Sequence, residues 1–180
     1  MQKKERFTAR QLAIVGLLSA LVFVSSWMQI EVGPARFHLG NGFCALAGLL
    51  FGPLTGGLAA GFGSMLFDFT NPAYISGCLI TFVTKFVIGY LAGLIAHKGP
   101  VSMKKDILGT LAGSVAYIVL YMAKSFVEMY WIEGQAMGAV QVRLAAKLSA
   151  SCVNAAVALV VATLLAAALR PALHRAKILA

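Results

Sequence analysis

Residues 50–63 read LFGPLTGGLAAGFG. The stretch is uncharged and as apolar as a membrane helix, yet it holds five glycines and is split by Gly52-Pro53. One helix from Leu39 to Phe69 would contain 31 residues. It would measure ~46 Å at roughly 1.5 Å per residue, against a hydrocarbon core of about 30 Å. Proline inside a helix also removes a backbone donor and clashes with the preceding turn. The stretch therefore reads as two short helices joined at Gly52-Pro53, with Pro53 in the first turn of the second and Thr55 as its candidate cap. Gly56, Gly57 and Gly61 then permit close helix contact, which in lipid depends on small residues.

Outward from that junction the whole chain is greasy. Its 180 residues are 60% hydrophobic and 12% charged, with a mean hydropathy of +0.85; a soluble domain carries roughly twice that share of charge. Apolar runs recur along the sequence, the signature of an integral membrane protein. The expected spans are about 11–30, 39–51, 54–69, 75–96, 107–127 and 139–169, which makes residues 1–180 a single six-helix, all-α membrane domain. The last run exceeds a perpendicular crossing and is expected to tilt or protrude. The polar, Pro34-containing segment EVGPARFH reads as a loop between the first two spans. The basic head and apolar run at the N-terminus resemble a signal peptide but lack a convincing cleavage site, so the run is read as a retained first span.

The net charge of +9 gathers at Lys3, Lys4, Arg6 and Arg10, at Lys98, Lys104 and Lys105, and at Arg170, Arg175 and Lys177. Short basic segments mark cytoplasmic ends. The loops after spans 1, 3 and 5 carry Glu31, Asp68, Glu128 and Glu133 instead. Both termini are accordingly expected in the cytoplasm, and the charge is read as topology rather than nucleic-acid binding. Cys44, Cys78 and Cys152 are widely spaced in apolar runs and read as packing residues. No GxxxxGK[ST], HExxH or GxSxG motif is present, so ATP hydrolysis by a phosphate loop and those two hydrolytic chemistries are not indicated. No internal repeat is evident, which disfavours a self-sufficient secondary transporter.

Ionisable residues at membrane depth are costly and point to function. Lys85 lies in mid span 4, one turn from Thr81. Tyr117, Tyr121, Lys124 and Glu128 share one face of span 5; Arg143, Lys147, Ser151 and Asn154 share one face of span 6. Asp68 closes span 3 and Asn41 opens span 2. Together they predict a polar cup open to the outside, closed over by residues 31–38 and suited to a small polar ligand. The competing reading makes Asp68–Lys85 and Glu128 with Lys124 or Arg143 internal ion pairs that merely join helices. His38 and His97 read as solvated loop histidines, and Tyr130 and Trp131 either as a cap on the cup or as ordinary interfacial aromatics.

Three stretches carry a resemblance. LAIVGLLSALVFV in span 1 holds a small-xxx-small seam, Gly16 and Ala20 with Ala13 nearby. FHLGNGFCALAGLLFGPLTGGLAAGFGSMLFDF covers spans 2 and 3, and TFVTKFVIGYLAG brings Lys85 in span 4. Over residues 8–97 the chain resembles the substrate-binding S components of energy-coupling factor (ECF) transporters; the second half matches in layout. Gly16 stands where that family usually has alanine, and Asn41 where aspartate is frequent. The resemblance implies a bacterial plasma-membrane protein that binds a vitamin or precursor from outside, with Asn41, Asp68, Lys85, Tyr121, Lys124, Glu128, Arg143, Lys147 and Asn154 as candidate contacts. It implies docking through Ala13, Gly16 and Ala20 on a transmembrane coupling subunit that rides on two ATPases. ATP would then be hydrolysed by those partners, and the chain would need no cofactor. The excess of cup cations tilts toward a ligand with a carboxylate or similar acceptor; the vitamin itself is open. Two alternatives stand beside this: a membrane-embedded enzyme using Lys85, Asp68 or Glu128, and a scaffold with only structural ion pairs.

Overall fold

The computed structural model describes residues 8–32, 35–72 and 74–178; Lys3, Lys4, Arg6 and Pro34 lie outside them. Six α-helices account for most of this chain: α1 Ala9–Trp27, α2 Gly40–Phe51, α3 Pro53–Phe69, α4 Cys78–Ala96, α5 Met103–Val127 and α6 Met137–Arg175. α1 starts at a capping box in which the Thr8 side chain accepts from the Gln11 backbone and the Gln11 side chain accepts from the Thr8 backbone. Segments long and apolar enough to cross a bilayer are Ala9–Trp27, Ile75–Ala96, Met103–Ile132 and Met137–Arg175. α2, with 12 residues, and α3, with 17, are shorter.

The decisive junction is a single residue. Gly52 adopts φ 85° and ψ 178°, a region that side chains essentially exclude. Pro53 is the first residue of α3. The break needs no capping side chain, so Thr55 is not the cap expected of it. α2 and α3 then fold against each other and against α4 with backbone touching backbone. A Cβ at Gly48 would lie 2.1 Å from the Gly89 carbonyl oxygen, and one at Gly56 would lie 2.3 Å from the Gly48 Cα. A Cβ at Gly93 would lie 2.5 Å from the Gly52 carbonyl carbon. Gly57 and Gly61 instead seat the rings of Phe86 and Phe82.

This packing places α2 at the centre. Ten of its twelve residues are buried, under a core of Val22, Cys44, Leu46, Leu49, Ile88 and Ala162. A helix of ~18 Å by its rise is too short to span alone, and here protein rather than lipid surrounds it. The outer surface is apolar: Leu17, Leu79, Val119, Val142 and Leu164 stand exposed. Asn41, Asp68, Lys85 and Asp106 are buried inside. That inversion of the soluble pattern is what a bilayer solvent demands.

Two expectations need correction. α1 stops at Trp27, and the segment read as an irregular loop is an antiparallel hairpin, β1 Gln29–Val32 with β2 Ala35–His38, pairing Gln29 with His38 and Val32 with Ala35. α6 does not stop at 169 but runs through Pro171 to Arg175. Proline forfeits one backbone bond there, and helical bonding resumes beyond it, with the Ala176 N–H on the Ala172 carbonyl.

Candidate functional site

The hairpin covers the end of the bundle where α1, α3 and α5 finish and α2, α4 and α6 begin. Lys85 of α4 is 5% exposed there. An apolar helix puts it at this depth, and a buried ammonium needs partners. Its Nζ donates to Asn41 Oδ1 at the start of α2 and sits 4.5 Å from the centroid of the Tyr117 ring on α5, within cation–π range. The i, i+4 spacing of α5 stacks Tyr117 on Tyr121 at 5.6 Å with planes 8° apart. Lys147 of α6 closes the row. Its Nζ lies 5.6 Å from the Tyr121 centroid and donates to Ser125 Oγ at 3.2 Å.

The hairpin is tied onto this layer. The His38 backbone N–H donates to Asn154 Oδ1 of α6 at 3.0 Å. His38 lines two narrow clefts. One is lined by Ser26, Ser64, Asp68, Thr81 and Lys85. The other is lined by Tyr117, Tyr121, Lys147, Ser151 and Asn154. Gly40 makes room for this arrangement, since a Cβ there would meet Ser26 Oγ at 2.9 Å and His38 Nδ1 at 3.0 Å.

Of the expected contacts, Asn41, Asp68, Lys85, Tyr121, Lys147 and Asn154 converge on these clefts. Lys124 and Glu128 form their own i, i+4 ion pair at 3.0 Å, and Arg143 is exposed in the second turn of α6; none of these three lines either cleft. Tyr117, from the expected cup face, and His38 belong to the layer beyond the expected contacts. His38 corrects the reading of it as a solvated loop residue. Tyr117 shares the Tyr121 face, so its signal is present in the sequence; His38 has none, because two four-residue strands leave no pattern that aims it. His97, also read as solvated, donates from Nε2 to the Leu49 carbonyl at 3.2 Å.

On the far side of α1, Ala13, Gly16 and Ala20 are all exposed, and a Cβ at Gly16 would meet nothing within 4 Å. With α3, Gly16 and Ala20 border an apolar groove of about 700 Å³ that includes Phe23, Phe62 and Leu66. The small seam therefore faces away from its own bundle.

Comparison with known proteins meets this geometry. The family model described as "ECF-type riboflavin transporter, S component" matches residues 6–171. The chain belongs to that family. S components are substrate-binding subunits of ECF importers and not enzymes, which removes the enzyme alternative. A multi-pass membrane protein follows from the family and the apolar helices together. An S component of a bacterial ECF transporter has the same fold, with a TM-score of 0.65 at 18% identity over 91% of this chain and 97% of that one. The crystal structure of FolT bound with folic acid gives 0.62 at 21% identity over 84% and 88%. Among curated proteins, this S component is 34% identical over 100 residues to an uncharacterized protein in the gap 3′ region of Pyrococcus woesei, 56% of this chain and 66% of that one. It is 31% identical over 113 residues to a UPF0397 protein of Lactiplantibacillus plantarum, 61% and 59%. The matches thus span less than two thirds of either curated relative's length.

Proposed function

We propose that this S component captures a vitamin or vitamin precursor from outside the cell in the layer under the hairpin, and hands it to a coupling module on the other side. The observation that carries this reading is the buried Lys85–Asn41 pair beside the stacked Tyr117–Tyr121 rings. Lys85, Lys147, Asn41 and Asn154 supply donors for carbonyl or carboxylate oxygens, and Asp68 supplies an acceptor. The flat tyrosine pair suits a planar ring. The family's own description makes riboflavin the first candidate. Lys124, Glu128 and Arg143 act at the rim.

Residues 1–180 form one domain that crosses a bacterial plasma membrane six times with both termini in the cytoplasm. Support comes from charge: Asp68, Glu128 and Glu133 lie at the hairpin end, whereas Lys98, Lys104, Lys105, Arg170 and Arg175 lie at the opposite end, as the positive-inside rule requires. Docking on a transmembrane coupling subunit uses Ala13, Gly16 and Ala20, whose outward position favours contact with a second protein. Two ATPases on that subunit hydrolyse ATP; this chain itself needs no cofactor.

The test is titration of the purified chain, without partners, against riboflavin and a vitamin panel by calorimetry, repeated with Lys85→Ala and Asn41→Ala. Tight binding of one compound, weakened at least about tenfold in either variant, is the expected result. A folded chain that binds none of the panel would refute the reading.

A further inference from the structure

The end of the bundle opposite the hairpin holds a second cavity, of about 520 Å³, where the start of α1, the α2–α3 junction and the ends of α4 and α6 meet. Arg10, His97, Arg170 and His174 line it against an apolar wall that includes Leu50 and Phe51, and among the described residues no carboxylate lines it. Its cationic groups are held in place. Arg170 Nη1 and Nη2 bond Asp106 Oδ2 and Oδ1 at 2.5 and 2.8 Å, and Nη2 also donates to the Leu49 carbonyl at 3.1 Å. Arg10 Nη2 donates to the carbonyls of Lys177 and Ile178 at 2.5 and 3.0 Å.

Those two carbonyls are presented by an unusual turn. Lys177 has φ 54°, left-handed backbone that normally falls to glycine. The Lys177 N–H bonds the His174 carbonyl and the Ile178 N–H bonds the Leu173 carbonyl, at 3.0 and 2.9 Å, which closes α6 as a Schellman turn. The turn brings Ile178 to the cavity and fixes the Arg10 guanidinium at its edge.

The charge balance selects a ligand class. Asp106 offsets Arg170, while Arg10, among the described residues, meets carbonyls rather than a carboxylate. About one positive charge therefore remains, with two imidazoles beside it. That matches a singly charged phosphodiester better than a dianion. The apolar wall, and the exposed Leu17 further along α1, suit acyl chains. Basic pockets between helix ends are recurrent sites for anionic headgroups. We propose that this cavity binds a phosphodiester anion, supplied by the headgroup of an anionic phospholipid in the leaflet at the basic end of the bundle.

The experiment is native mass spectrometry of the detergent-purified full chain with phosphatidylglycerol or phosphatidylcholine of matched acyl chains, and in parallel thermal melts with inorganic phosphate. Retention of phosphatidylglycerol over phosphatidylcholine by about tenfold, from a charge-assisted contact, should fall toward parity in Arg10→Gln and in His174→Gln. Arg143→Gln, at the opposite end, should leave it unchanged. If Arg10→Gln does not fold, His174→Gln carries the comparison. Stabilisation by inorganic phosphate that is lost in the same variants would support the anion site and assign it a soluble source. Equal retention of both lipids with no phosphate effect, or an unchanged preference in the folded variants, would overturn the proposal. Vitamin binding at the hairpin end is a separate readout, so the two failures are distinguishable.

Discussion

At Gly48 an added Cβ would lie 2.1 Å from a backbone oxygen of the neighbouring helix, whereas at Gly16 it would meet nothing within 4 Å. The same substitution must therefore do opposite things at the two positions. Gly48→Ala should push α2 from α4 and lower stability by about 3 kcal/mol or more, read as a fall in melting temperature in detergent. Gly16→Ala should leave the melt unchanged or raise it, since alanine in a helix interior gains about 0.5–1 kcal/mol over glycine. A bulkier Gly16→Leu should keep both fold and vitamin binding and lose co-purification with the coupling subunit; retained co-purification would remove the seam from the docking surface. Buried polarity sets a second contrast. Asp106 is 1% exposed and satisfies Arg170 through two bonds. Asp106→Asn leaves a poorly compensated cation and should cost about 3–5 kcal/mol. Lys124 and Glu128 are considerably more exposed, at 21% and 34% of their side chains, and breaking that pair should change the melt little.

Between elements, the hairpin's second strand is tied to α6 through the His38 N–H bond to Asn154 Oδ1. Asn154→Ala should cost about 1 kcal/mol and speed amide exchange across 29–38 and ligand release, while exchange in α2 stays slow. Uniform exchange across the chain would mean that the hairpin does not open separately. This element was also the least legible in the sequence. QIEV and ARFH are short, and Pro34 between them obscures a strand pattern of only four residues each. The α2–α3 break was legible because membrane thickness and proline chemistry both forbid the alternative. Lys85 and Asn41 were legible because a charge in an apolar run stands out by its cost. Arg143 shows where that logic fails: spacing assigns it to the Lys147 face, but it lies a turn nearer the start of α6, outside the clefts that Lys147 and Asn154 line. Periodicity gives a face and not a depth.

For the whole molecule, the uneven charge of the two ends predicts a fixed orientation in the membrane. In a Cys152→Ala background, Glu133→Cys should react with a membrane-impermeant thiol reagent in intact cells, and Lys104→Cys only after permeabilisation; the reverse pattern would invert the topology. The native Cys44 and Cys78 are buried and should stay silent. Where Gly48, Gly56, Gly89 and Gly93 let α2, α3 and α4 touch through their main chains, there is no cushion of rotatable side chains between helices. Close-packed interiors are poorly compressible, and at these glycine contacts even the slack that rotamers supply is missing. The three helices form a single stiff wedge: a torque applied at the outer face of α1 would turn the hairpin end through the same angle, and the clefts beneath it would keep their shape while their direction changed.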